Sequence, residues 1–218
     1  MAPPITADST IDSPTGFGYF CSAMNTPNKL TLTRILLSPI FMFFFLFDSF
    51  WMRLIGLILF LIAALTDLID GHLARKYGII TGFGRFMDPL ADKILVSSAL
   101  ISFVSLHYCS PFPVTLIIGR EFFITGLRLL AAYRGVIIPP TWWAKVKTFL
   151  QLSVVGAVLA YIFLLTSLHH YHLEPGFLKR IDHMMAINAA MWLTAAVTVW
   201  TGIDYVVKYF SMIKSVLK

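Results

Sequence analysis

Residues Thr66 to Lys93 read TDLIDGHLARKYGIITGFGRFMDPLADK, and they carry four of the 11 acidic residues, Asp67, Asp70, Asp88 and Asp92. Apolar runs flank the stretch on both sides. Asp67 and Asp70 lie three apart at the end of the run that starts near Leu54, so on a helix they share a face. Asp88 and Asp92 lie four apart at the start of the next apolar run and share a face as well. Gly78, Gly82 and Gly84 let the intervening chain turn back, which predicts that the two pairs meet. Four carboxylates converging without a counter-charge repel one another. Hard divalent cations resolve that repulsion, and an oxygen-only ligand set suits magnesium or manganese.

A plainer reading is a solvated loop between two spans, with Asp88 as a helix N-cap and Pro89 at the first helical position. The capping role is compatible with either reading. The solvated loop is not favoured, because Asp67 lies about 13 residues, or ~20 Å, into a helix starting near Leu54. That is well inside a hydrocarbon core ~30 Å thick. An ionisable side chain there marks a functional site by default.

Composition sets the surroundings. The chain has 218 residues, 58% hydrophobic and 13% charged, with a mean hydropathy of +0.79. A soluble domain carries about a quarter charged residues, so the expected fold class is an all-α integral membrane protein, a six-transmembrane-helix bundle. Its spans are expected over about Leu30–Phe50, Leu54–Ala74, Asp88–Leu106, Val114–Tyr133, Trp143–Leu165 and Met184–Tyr209. Residues 1–22, rich in Pro, Ser, Thr and Gly and without a basic n-region, read as a flexible N-terminal tail rather than a signal peptide. Residues 23–218 then form one six-span domain. Net charge is +6, but the basic residues sit at the ends of apolar runs, not in one patch with interleaved aromatics, which argues against nucleic acid. Of the 17 lysines and arginines, Arg53, Lys179 and Arg180 fall in loops opposite the motif, Arg120 falls within a span, and the remaining thirteen lie on the motif side. The motif therefore faces the cytoplasm. Cys21 and Cys109 fall on opposite sides, so no bridge joins them. His169, His170 and His172 sit in the loop far from the motif at a spacing that suits no usual metal cage, and read as a solvated or interfacial loop.

The motif itself, Asp67, two residues, Asp70-Gly71, two residues, Ala74-Arg75, eight residues, Gly84, three residues, Asp88, three residues, Asp92, resembles the signature of the CDP-alcohol phosphatidyltransferases at all eight fixed positions. Upstream, Asn28, Leu30, Thr31 and Arg34 match a further element common in that family. The resemblance implies that Asp67, Asp70, Asp88 and Asp92 hold two Mg2+ or Mn2+ ions. It also implies that Asn28, Thr31, Asp67, Asp70, Gly71, Ala74 and Arg75 bind the cytidine diphosphate. Asp92, beside the ions, is the candidate catalytic base for the attacking hydroxyl or the group that orients it. A homodimer in a bacterial inner (plasma) membrane is implied too.

Two basic segments bear on the second substrate. Gly119–Ala132 reads GREFFITGLRLLAA and Ala144–Gln151 reads AKVKTFLQ. Arg120 and Glu121 are costly inside a span unless paired or facing a wet cavity, and Arg128 follows Arg120 by about two turns, on nearly the same face. With Lys145 and Lys147 they are expected to form a basic pocket that holds a phosphate on the acceptor. The region resembles the phosphatidylglycerol phosphate synthase branch of the family, with Ala144 where Gly is common. The implied reaction uses CDP-diacylglycerol and glycerol 3-phosphate. A cardiolipin synthase, using phosphatidylglycerol as acceptor, is the alternative within the family. A metal-ion transporter built on the four aspartates is the alternative outside it, and it leaves the glycine, alanine and arginine positions of the motif unexplained.

Overall fold

The apolar runs become six helices in the computed structural model, which describes residues 26–77, 82–135, 142–173, 183–210 and 212. Side chains are described throughout these except for residues 26–30, 67–77, 82–86 and 183. The tail expected over residues 1–22 lies outside the described residues. The helices are α1 (Thr26–Leu46), α2 (Phe50–Tyr77), α3 (Gly82–Ser105), α4 (Pro111–Tyr133), α5 (Trp142–His170) and α6 (His183–Lys208). No strand occurs among the described residues. Two helices, over Trp142–His170 and Met184–Lys208, are long and apolar enough to cross a membrane.

The side-chain pattern is inverted relative to a water-soluble bundle. In α1 the buried stripe is Thr31, Arg34, Ser38, Phe41 and Phe45, three of the five polar, while the outer stripe is Leu32, Leu36, Ile40 and Phe43. Leu36 is 57% and Phe43 60% exposed. Both stripes keep the three-and-four spacing of one helix face. An aqueous surface does not favour such an outer stripe; hydrocarbon does. In α2 the buried positions Arg53, Gly56, Phe60 and Ala63 follow the same spacing, and the next two steps along that line are positions 67 and 70.

Around the bundle the order is α1, α3, α4, α6, α5, α2, with α3 also touching α5 across the middle. α1 packs most extensively, against α2 on one side and α3 on the other. Phe41, Phe45, Phe60, Leu100, Phe103 and Ile162 fill the centre. The α1–α2 approach depends on a missing side chain: a Cβ on Gly56 would lie 3.1 Å from the Phe45 backbone nitrogen and 3.2 Å from its Cα. Backbone atoms cannot step aside. Gly56→Val is therefore expected to part the two helices and lower stability by about 1–3 kcal/mol, read as a fall in the thermal midpoint in detergent. An unchanged midpoint would show that the pair has slack.

Three expectations change. α3 begins at Gly82, so Gly82 and Gly84 are helical, and Gly78 lies outside the described residues. For the same reason Asp88 is not an N-cap and Pro89 lies inside the helix. Both helices overrun their apolar cores because packed helix propagates readily through neighbouring polar residues once nucleated. His169 and His170 end α5 rather than lying in a loop, and both are exposed. His169 and His170 line a cavity of about 430 Å³ with Asp48, Arg53, Tyr108 and Thr166, at the end of the bundle away from the motif. There Arg53 donates to the Thr166 hydroxyl and pairs with Asp48 at 3.0 Å, tying the start of α2 to the end of α5. Nearby Cys109 is buried and free, and burial pushes its thiol up to about 11. Cys21 lies outside the described residues.

Candidate active site

Two groups of polar side chains occupy the half of the bundle where α1, α3 and α5 begin. The first is a contact between α1 and α3. Because α1 sits beside α3, the Thr31 hydroxyl, buried at 2% exposure, donates to Asp88 Oδ1. The residues expected to bind nucleotide and metal thus meet at one point. Asp92 follows one turn later on the same face of α3, and its side chain is 42% exposed. Arg34 is buried on the inner stripe of α1, one turn beyond Thr31. The side chains of Asp67, Asp70, Gly71, Ala74 and Arg75, and of Asn28, lie outside the described residues. The helix that carries the first pair nonetheless runs unbroken to Tyr77. Among the described residues no three carboxylate, imidazole or thiol groups converge as a metal site. Asp88 and Asp92 supply oxygen donors only, which fits a hard divalent cation and not a softer metal.

The second group is a cavity of about 450 Å³ between α3, α4 and α5. Arg120, Arg128, Lys145 and Lys147, the four residues expected to hold an acceptor phosphate, all line it. So do Lys93 and Glu121. Lys147 lies on the inner stripe of α5 with Gln151, Val155 and Val158, and it is 2% exposed. Lys145 lies on the open side of the same helix. Glu121 is 5% exposed. Its Oε1 pairs with Lys147 Nζ and, at 3.2 Å, with Arg120 Nη1, while Oε2 pairs with Lys93 Nζ at 2.9 Å. Glu121 thus pairs both with Arg120 on its own helix and with lysines on two neighbouring helices. Such a carboxylate is tolerable inside the bundle only because cations surround it, and they in turn repel one another less around it.

The sixth helix contributes where the sequence offered little. Arg120 Nη2 donates to the Thr201 hydroxyl at 3.2 Å. The Arg120 stem lies so close to α6 that a Cβ on Gly202 would come within 3.0 Å of its Nε and 3.1 Å of its Cγ. Arg128 stacks its guanidinium over the buried Tyr205 ring, 5.8 Å from the centroid, a cation–π contact. Sequence reasoning counted Lys93 only as an orienting charge and assigned nothing to Thr201, Gly202 or Tyr205. From an expected start at Asp88, Lys93 lies only about five positions in, the depth of a plain anchor; its true depth, about 11 positions or ~16 Å, shows only once α3 is seen to begin at Gly82.

The cavity can therefore hold a phosphate-bearing molecule. Five cations face it with one carboxylate among them, and guanidinium forks on fixed seats favour planar, multidentate contact with oxyanions. Lys93, on its wall, also reaches Asp92 with Nζ at 3.2 Å.

Comparison with known proteins is consistent with this layout. The sequence model of the CDP-alcohol phosphatidyltransferase family matches residues 24–200, which extends past Gln151, where the resemblance in the sequence ended, and takes in most of α6. A CDP-diacylglycerol--glycerol-3-phosphate 3-phosphatidyltransferase of Bacillus subtilis (strain 168) is 38% identical over 203 residues, covering 88% of this chain and 98% of the relative. An enzyme of the same name from Rickettsia felis is 38% identical over 135 residues, 62% of this chain and 75% of the relative. A probable phosphatidylglycerophosphate synthase of Mycobacterium tuberculosis is 36% identical over 189 residues, covering 84% of this chain and 81% of the relative.

Proposed function

The chain belongs to the CDP-alcohol phosphatidyltransferase family, and within it we propose that this protein moves the phosphatidyl group of CDP-diacylglycerol onto glycerol 3-phosphate, giving phosphatidylglycerol phosphate and CMP. The observation that carries the choice of acceptor is the basic cavity beside Asp92. An acceptor with its own phosphate accounts for five cations facing one cavity with a single carboxylate among them; an uncharged alcohol leaves that excess of positive charge unanswered. The names of the relatives in Bacillus and Rickettsia support the same acceptor.

In this reading the six helices are six spans, with the motif end in the cytoplasmic leaflet of a bacterial plasma membrane. The outward apolar stripes support the spans. The charge distribution in the sequence supports the orientation. A lipid diphosphate keeps its chains in hydrocarbon and its headgroup at the interface, where Thr31, Asp88 and Asp92 meet it without the lipid being extracted. Asp67, Asp70, Asp88 and Asp92 would hold two Mg2+ or Mn2+ ions, which when bound neutralise the diphosphate oxygens and stabilise departing CMP. Asn28, Thr31, Gly71, Ala74 and Arg75 would hold the nucleotide. Arg120, Arg128, Lys145 and Lys147 hold the acceptor phosphate, so that its free hydroxyl faces the phosphatidyl phosphorus in line. The hydroxyl oxygen bonds to that phosphorus as the bond to the CMP oxygen breaks, and CMP leaves with the electron pair. Asp92 takes the hydroxyl proton. Chemistry of this kind rests on positioning and charge neutralisation more than on covalent help. The protein works as a homodimer in this reading.

The test is direct. Purified protein in lipid–detergent micelles is given CDP-diacylglycerol, magnesium or manganese and labelled glycerol 3-phosphate, and CMP and labelled lipid are followed. Equimolar CMP and phosphatidylglycerol phosphate are expected. CMP release only with phosphatidylglycerol would make the protein a cardiolipin synthase, and divalent-ion flux into liposomes without CMP release would make it a transporter.

A further inference from the structure

Lys93 and Glu121 are not among the residues just given a role, yet both line the cavity, and Lys93 links it to Asp92. Lys93 Nζ bridges two carboxylates, Asp92 Oδ2 at 3.2 Å and Glu121 Oε2 at 2.9 Å. Consecutive residues on a helix do not face each other, so the Lys93 stem has to bend for its ammonium to lie on Asp92. Glu121, on the neighbouring α4, supplies the fixed point that holds it there. The other Glu121 oxygen holds Arg120 and Lys147. The chain of contacts therefore runs without a gap from the cavity wall, through Glu121 and Lys93, to Asp92.

We propose that Lys93 and Glu121 are positioning residues that tie the acceptor cavity to Asp92, so that one strut sets both where the acceptor phosphate sits and where the Asp92 carboxylate points. Glu121 spaces the cations that grip the phosphate. Lys93 engages Asp92 Oδ2 and so fixes the direction of Oδ1, which is left for the ion and the acceptor hydroxyl. The inference rests on the reading that Asp92 serves that hydroxyl and that the cavity holds the acceptor phosphate. It adds why a carboxylate stands in an anion-binding cavity, where on charge alone it is a hindrance.

The experiment compares Lys93→Gln, Lys93→Arg, Glu121→Gln and the double variant Lys93→Gln/Glu121→Gln in steady-state assays of CMP release, together with thermal midpoints. Lys93→Gln is expected to lower kcat on the order of 10–100-fold while KM for glycerol 3-phosphate stays within about threefold. Lys93→Arg is expected to recover most of the loss, since a guanidinium also spans two carboxylates. Glu121→Gln is expected to lower kcat and raise KM together, because it loosens both ends of the strut. The double variant is expected to be no worse in kcat than about the worse single one, as for residues acting through one linkage. Three results would overturn the proposal: wild-type kcat in Lys93→Gln, a kcat loss that follows the thermal midpoint with no recovery in Lys93→Arg, or losses that multiply in the double variant. If the unaltered protein itself releases no CMP with glycerol 3-phosphate, the assignment of the reaction fails and the strut with it. If it does, and the variants behave like it, only the strut fails.

Discussion

Asp88→Asn is expected to abolish phosphatidyl transfer while leaving the fold intact. Asparagine keeps the Oδ1 acceptor to which the Thr31 hydroxyl donates, so the α1–α3 contact survives and the thermal midpoint should stay put. What the substitution removes is one negative charge from the oxygen set proposed to hold the divalent ions. Losing about 4 kcal/mol of transition-state stabilisation corresponds to about 10³-fold in rate, and a metal that neutralises a diphosphate is worth at least that order. The expected result is a kcat/KM lower by ~10³ or more, a raised metal requirement for the residual activity, and an unchanged midpoint. Activity within tenfold of wild type at ordinary magnesium would remove Asp88 from the ligand set. A collapse of the midpoint would instead mark the Thr31 contact as structural. Because the two outcomes differ in different instruments, one variant separates the roles.

How much of this was legible beforehand depends on which physical signal each feature leaves in a sequence. The helices were legible because each is a long apolar run with few charges, and every expected span recurs as a helix displaced by a few residues. Their ends were not. The expected third span began at Asp88, whereas α3 begins at Gly82, since polar residues continue a packed helix at little cost and periodicity cannot say where they stop. The shared lining of Arg120, Arg128, Lys145 and Lys147 was legible from helix spacing and from the cost of a charge in a span. Glu121 was half legible: its burial demanded a partner, but nothing local in the sequence names a lysine 28 residues away. Gly202 and Thr201 were illegible, because a seat for an arginine stem is made by the absence of a side chain on a helix that meets α4 only in three dimensions. Local rules find residues that share a helix face; they do not find residues that share a cavity wall.

Lys147 is where that difference can be measured. It and Lys145 line the same cavity from the same helix, but Lys147 is 2% exposed and held on Glu121, while Lys145 stands on the open face. A buried cation on a fixed seat has already lost its side-chain entropy and much of its hydration, so an arriving phosphate gains more from it than from a mobile, solvated one. Lys147→Met keeps the packed stem and removes only the ammonium. Glu121 retains Arg120 and Lys93 as partners, so the variant does not strand a buried carboxylate. The expected result is a KM for glycerol 3-phosphate raised about 10–100-fold with kcat changed less than about threefold, the pattern of an interaction made equally in ground and transition states. Lys145→Met should raise the same KM by no more than about threefold. Equal effects at the two lysines would mean that the cavity acts as a diffuse positive field, in which burial confers no advantage. A lower kcat at constant KM in Lys147→Met would place the ammonium on the transferring phosphoryl group instead of the acceptor. Only a KM effect concentrated at Lys147 fits a cavity whose buried end is the seat of the acceptor phosphate.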